Sequence, residues 1–278
     1  AVFVGSGAGL PRFMGIKGEG LNGVYSANEF LTRANLMKSY KNDAATPIMK
    51  GGKVAVVGGG NVAMDATRTS LRLGASHVSC VYRRRIEDMT ALTEEIEEAQ
   101  AEGAEIKTLF APDHIEADEN GNVCALWVQP QIISDVSSDG RTNVRNADKP
   151  LIRIPCDYII VAIGQSIESK HFEQSGILTK RGAIQAEKSC FVPGSKNVFA
   201  GGDAVSGPAT VIRAVAAGKV AAANIDSFLG FNHKITVDVE VPSPSLTNTP
   251  ATGRVNLTCR NIEKIKDYPI FHSCPIIR

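Results

Sequence analysis

Apolar residues in this chain fall into short runs closed by glycine and into stretches where they recur every three or four positions. The clearest of each lie side by side. Lys53 to Val57 is a short run rich in β-branched residues, the pattern of a strand buried on both faces. A helical stretch follows from Val62 to Leu73, with Gly74 placed to close it. His77 to Tyr82 reads as the next strand. Further strands are predicted at Ala1–Val4, Glu105–Phe110, His114–Ala117, Asn122–Gln129, Asp157–Ile163 and Asn197–Ala200. Helices are predicted at Ser26–Lys38, from Leu92 to Glu102, and at Thr210–Phe228. Ser26 is positioned to cap the first of these, with Glu29 completing a capping box. This ordering predicts an α/β protein.

The intervening segments are polar or glycine-rich. Gly5 to Gly9 has glycine spacing, but Pro11 blocks a helix running straight on. It reads as a strand-to-loop switch, and Ala1–Val4 as a core strand that opens the chain without a lead-in. Gly15–Tyr25 reads as loop and Asn42–Gly52 as a linker. Ser134–Pro150 reads as a mobile hairpin tip, and Gly176–Cys190 as short strands and turns. Lys234–Val241 reads as an edge strand and Pro242–Gly253 as extended chain; Asn256–Arg278 carries no clear pattern.

The chemistry gathers at the first glycine turn. Gly58, Gly60 and Ala63 fit G-x-G-x-x-A between a strand and a helix, with Gly59, Asn61 and Val62 completing the turn. The first glycine permits the turn, the second lets a pyrophosphate approach the backbone, and the small third position lets helix and strand pack closely. The helix N-terminus near Asn61 aims free N–H groups at that pyrophosphate. The end of the next strand distinguishes the coenzymes. An NAD site places Asp or Glu there for the ribose 2′-OH. Here Tyr82 is followed by Arg83, Arg84 and Arg85. Guanidinium forks match a phosphate, so the expected ligand is NADP(H), with its 2′-phosphate on Arg83 and Arg84.

Composition narrows the alternatives. With 278 residues, a net charge of +1 and 21% charged residues, the chain is no strongly basic nucleic-acid binder and has room for two domains. No apolar run is long enough for a membrane helix and no signal peptide is visible, which points to the cytoplasm. Six scattered cysteines form no C-x-x-C; they read as buried reduced thiols, and no metal site is expected. The Glu-rich face of Leu92–Glu102 reads as solvated.

The segments GGGNVAMD (Gly58–Asp65), VYRRR (Val81–Arg85), VAIGQ (Val161–Gln165), AGGDA (Ala200–Ala204) and GPATVIRAVAAGKVAA (Gly207–Ala222) give the chain its resemblance. It resembles the flavin-dependent pyridine nucleotide oxidoreductases, and within them the small (β) subunit of NADPH-dependent glutamate synthase. The resemblance covers nearly all of Ala1–Leu229. It implies a Rossmann-like NAD(P)-binding domain inserted into an FAD-binding domain. The partition would be 1–45 partial FAD domain, 46–165 NADP(H) domain including Gly164, 166–230 second FAD part and 231–278 extension. It also implies that Asp203 holds the FAD ribityl chain, with Gly201 and Gly202 allowing close approach. Thr210 and Val211 would then turn helix N–H groups to the flavin pyrimidine edge. The family's first FAD glycine motif and its N-terminal iron–sulfur domain are not in this sequence, and the loop after the arginines has Thr90 where the family has proline.

The expected activity is therefore transfer of hydride from NADPH to FAD, with electrons passing to an iron–sulfur partner subunit or domain resembling the glutamate synthase large subunit. No side chain is singled out as an acid or base. The competing reading is a non-catalytic NADP(H)-binding subunit or fragment with an incomplete flavin site. A zinc- or Tyr-Lys-type dehydrogenase lacks its signature residues here.

Overall fold

The computed structural model describes residues 1–136 and 142–235. The expectations for Pro242–Gly253 and Asn256–Arg278, most of Lys234–Val241 and of the 231–278 extension, and Cys259 and Cys274 lie outside the described residues. Strands β1 to β15 and α-helices α1 to α6 are numbered in chain order.

The centre is a five-stranded parallel sheet. Its strands are β3 (Val24–Ser26), β11 (Tyr158–Val161), β4 (Lys53–Val57), β5 (His77–Tyr82) and β6 (Glu105–Thr108), in the order β3-β11-β4-β5-β6. The two-residue alternation of β4 explains its double burial. Val54 and Val56 pack with Phe30, Met64 and Ala66 on the helical face. Ala55 and Val57 pack with Ile115, Leu126 and Ile154 on the other. Each fully buried aliphatic side chain of this kind contributes roughly 1.5–3 kcal/mol. The helical layer holds α1 (Ala27–Leu31), α2 (Asn61–Arg72) and α3 (Thr93–Ala101). The opposite layer is antiparallel: β7 (Phe110–Ala117), β8 (Val123–Val136) and β10 (Ile152–Pro155), with β9 (Thr142–Asn146) on the outer half of β8.

A second, smaller lobe joins segments distant in sequence. β1 (Val2–Val4) runs parallel to β15 (Val198–Ala200). The two crossings between the lobes, β2 (Leu10–Pro11) and β12 (Gln165–Ser166), pair antiparallel. β13 (Thr179–Lys180) and β14 (Ala183–Ile184) form a hairpin, and α4 (Lys170–Gln174), α5 (Asp203–Ser206) and α6 (Val211–Phe228) complete the lobe.

Several local expectations change. Val24–Ser26, read as the end of a loop, is an edge strand, because its backbone completes the ladder of β11. Ala1–Val4 is a strand but not a buried one: Val2 is 52% and Phe3 43% exposed, since its only described strand partner is β15. The helix predicted over Ser26–Lys38 is an α-helix only to Leu31 and continues as a π-helix over Thr32–Leu36. Ser26 caps it by accepting the Glu29 N–H at 3.2 Å, but the Glu29 carboxylate pairs with Arg33 at 2.8 Å rather than closing a capping box.

The strand predicted to Phe110 stops at Thr108, where Leu109 at φ +63 turns the chain into β7. The predicted polar tip at Ser134–Pro150 contains the ladder of β8 with β9. The acidic face of α3 is only partly solvated, because Glu95, Glu98 and Glu102 surround Arg68 at 2.7–2.8 Å and Glu102 also holds Arg72 at 2.7 Å. Among the described residues no helix is long and apolar enough to cross a membrane.

Candidate dinucleotide site

A cleft of about 790 Å³ opens at the C-terminal ends of β4, β5 and β11. Parallel α/β sheets bind ligands at this edge. Gly58, Gly59, Gly60, Asn61, Val62, Tyr82, Arg83, Arg84 and Gly164, all picked out in the sequence, line it together. Ala63 lies directly behind, fully buried, where its small side chain lets α2 sit against β4. The three small positions do different work. A Cβ on Gly58 (φ +154) would lie 2.3 Å from the Ala162 carbonyl oxygen, so β4 and β11 can separate into the cleft only around a glycine. A Cβ on Gly59 would enter the Tyr82 ring at 2.6 Å. Gly60 faces open space except for the Thr90 hydroxyl 3.4 Å away. That bare stretch of backbone, followed by the N-terminal N–H groups of α2, has the donors and the open space that an anion such as a pyrophosphate needs.

The three arginines are not equivalent. Arg85 is engaged: its Nε and Nη2 donate to Asp88 at 3.0 and 3.1 Å. Arg83 is exposed at the cleft wall. Arg84 is half-buried and also lines the cleft, and its Nε is a buried donor with no partner among the described residues. A buried guanidinium N–H left without an acceptor is costly. The loop after the arginines folds back on the glycine turn. Thr90 and Ala91 donate backbone N–H groups to the Gly59 carbonyl at 2.8 and 3.0 Å, and the Leu92 N–H donates to Asn61 Oδ1 at 2.9 Å. The Tyr82 hydroxyl donates to the Asp88 carbonyl at 2.8 Å. Asp88 is buried, and its carboxyl is held well below the usual carboxylate range, first by the Arg85 guanidinium and then by Thr142.

The family model described as pyridine nucleotide-disulphide oxidoreductase matches residues 1–218. The chain belongs to this family. It is 36% identical over 231 residues to the NADP(+)-dependent formate dehydrogenase subunit beta of Moorella thermoacetica, covering 82% of this chain and 32% of that protein. It is 33% identical over 237 residues to the glutamate synthase [NADPH] small chain of Escherichia coli strain K12, covering 82% and 50%. The chain thus spans about a third to a half of these relatives. Among solved structures it is similar to Mycobacterium tuberculosis FprA in complex with NADPH (TM-score 0.62, 18% identity, 83% and 63% covered). It is also similar to T. acidophilum thioredoxin reductase (TM-score 0.60, 20% identity, 82% and 65% covered). At these identities the likeness establishes the fold.

NADP(H) and FAD are the cofactors of this oxidoreductase family. The residues of the cleft fit the first: open backbone at Gly60 and an orphaned donor on Arg84 suit a pyrophosphate and a further phosphate. The remaining sequence-predicted residues lie outside the cleft, in the second lobe. β1 and β15 end side by side at Val4 and Ala200, so Gly5 and Gly201 leave the same sheet edge, and Gly201 donates its N–H to the Val4 carbonyl at 3.2 Å. A Cβ on Gly201 would meet Ala217 at 3.2 Å and Phe3 at 3.3 Å, which explains the small residues there and on α6. Gly202 takes φ +67 and starts α5, placing Asp203 at its first position. Thr210 caps α6 without a side-chain hydrogen bond, and Val211 is 79% exposed.

Sequence reasoning missed Asp88 and Thr142, which anchor the arginine loop, and the cleft residues Asn28 and Arg12. Arg85 followed three residues later by Asp88 was a readable pairing signal; Thr142 had none. The described cysteines are free and none lines the cleft. Burial pushes the Cys80 and Cys156 thiols up to about 12, as inert core thiols require.

Proposed function

We propose that the chain is the NADPH-docking part of a flavin oxidoreductase of the glutamate synthase small-chain type. The observation that carries this is the unpartnered Arg84 Nε beside exposed Arg83 at the end of β5, where the fold separates NADP(H) from NAD(H). In this reading residues 46–165 form the nucleotide domain and residues 1–45 and 166–230 the flavin-binding pieces around it. Gly58 to Ala63 seat the pyrophosphate, and Tyr82, Arg83 and Arg84 hold the adenosine end. Gly164 leaves space at the far end of the cleft. The flavin, when bound, supplies acceptance of the NADPH hydride and onward release of electrons to iron–sulfur centres. Asp203 with Gly201 and Gly202 would position its ribityl chain, and the α6 N-terminus at Thr210 and Val211 would favour negative charge at its pyrimidine edge. This chain's own contribution is orientation rather than acid–base chemistry.

The relatives' designations as a beta subunit and a small chain support a companion subunit, and on the same reading that partner is an iron–sulfur subunit or domain. Absorbance of the protein titrated with FAD, followed by anaerobic addition of NADPH, tests it. Stoichiometric uptake and bleaching of the flavin bands by NADPH, faster than by NADH, is the expected result. Exposed Val2, Phe3, Val211 and Ile212 favour one second reading, an NADP(H)-binding piece that holds no flavin on its own. Tight NADP(H) binding with no flavin uptake would select it.

A further inference from the structure

The arginine loop is held from an unexpected direction. Asp88 is buried at the loop's apex and accepts from Arg85 through Nε, Nη2 and the backbone N–H. Its other donors come from Thr142, fully buried at the start of β9: the Thr142 N–H reaches Oδ1 at 3.2 Å and the Thr142 hydroxyl donates to Oδ2. Thr142 is thus remote in sequence from the nucleotide motif and belongs to the antiparallel layer. The Asp88 carbonyl in turn accepts from Tyr82, whose ring lies against Gly59. The pyrophosphate turn also has anchors outside the Asp88 network. Gly58 donates to the Val81 carbonyl at 3.1 Å, and Ala63 and Met64 donate to Gly60 at 2.9 and 3.2 Å.

We propose that Thr142 is a positioning residue for coenzyme choice: through Asp88 and Arg85 it fixes the backbone from which Arg83 and Arg84 reach a 2′-phosphate. The inference rests on the NADP(H) reading above. Loss of the Thr142 hydroxyl leaves Asp88 short of a donor and frees Arg85 to shift, and with it the two arginines before it. The turn at Gly58–Asn61 touches this loop at Thr90, Ala91 and Leu92, but it keeps its bonds to Val81 and to the first turn of α2, and with them its grip on the pyrophosphate common to both coenzymes. The effect should therefore appear in the ratio of the two affinities, not in both equally.

Calorimetric titration of the full chain with NADP⁺ and with NAD⁺ tests this. Thr142→Val should weaken NADP⁺ about tenfold, the loss expected for one hydrogen bond to a charged group, while NAD⁺ changes less than about twofold. Thr142→Ser, which keeps the hydroxyl, should retain the wild-type ratio. Should Thr142→Val fold poorly in circular dichroism, Asp88→Asn reads the same network and should show the same selective loss. A wild-type preference for NADP⁺ left intact by Thr142→Val or by Asp88→Asn overturns the proposal, as does an equal loss in Thr142→Val and Thr142→Ser. A wild-type protein with no preference at all instead overturns the underlying NADP(H) reading.

Discussion

At the scale of single residues, three adjacent arginines have three different environments, and those environments decide what each can bind. Arg85 is spent on Asp88, Arg84 has a buried donor without a partner, and Arg83 is exposed. The double substitution Arg83→Ala, Arg84→Ala should weaken NADP⁺ by about 10- to 100-fold, as expected for one or two charge-assisted hydrogen bonds, and leave NAD⁺ nearly unchanged. Equilibrium titration of both coenzymes checks it. Asp88 also carries a pH dependence. Its carboxyl is depressed below the ordinary value in the folded chain, so its contribution is present above the unfolded pKa of about 3.9 and is lost as pH falls toward the folded value. The difference in Tm between wild type and Asp88→Asn should therefore be full at pH 6 to 7 and shrink below about pH 4, as thermal melts across that range would show. The sequence drew attention to the arginines because the proposed NADP(H) reading assigns a task to that strand end. It did not disclose their division of labour, which depends on Thr142, 54 residues beyond Asp88 in the chain.

At the scale of elements, the parallel strands were legible where both faces are buried. β4, β5 and β11 are near-continuous apolar runs, and their observed bounds match or fall just inside the predicted ones. Elements whose existence depends on a neighbour were not legible. β3, β9 and β10 have mixed composition and become strands because β11 and β8 offer them backbone partners. The same holds for α3, whose glutamates look like a solvated face until Arg68 is placed among them. Arg68 is 17% exposed and touches Glu95, Glu98 and Glu102 at once, so it joins α3 to α2. Its replacement by alanine leaves that cluster of carboxylates unneutralised and removes the stem that packs between the helices. A loss of about 1–3 kcal/mol, partly relieved at high salt, is expected in urea denaturation at low and high ionic strength.

At the scale of the whole molecule, the two lobes differ in how well the chain covers its own apolar surface. The five-stranded sheet is enclosed by helices on one side and by the antiparallel layer on the other, with Val54, Ile159 and Ile160 sealed from solvent. Among the described residues, the β1–β15 pair has no such enclosure. Val2, Phe3, Val211 and Ile212 stand exposed around it, and its buried cluster is small, built on Ile184, Val192, Ala200 and Ala204. Local opening is easiest where few apolar contacts must be broken. Amide hydrogen exchange should therefore find slow exchange throughout β4, β5 and β11, and exchange at least about tenfold faster in β1, β15 and the first turns of α6, a difference of about 1.4 kcal/mol in opening free energy. A ligand of the second lobe adds its binding free energy to that lobe alone, so saturation with FAD should slow exchange at Val198–Ala204 and Val211–Val215 while β4 and β5 stay unchanged. NADP⁺ should do the reverse, protecting Gly58–Ala63 and the Arg83–Thr90 loop. Equal protection of both lobes by either coenzyme would mean that the chain opens as one cooperative unit, and the smaller lobe would then owe its stability to the larger.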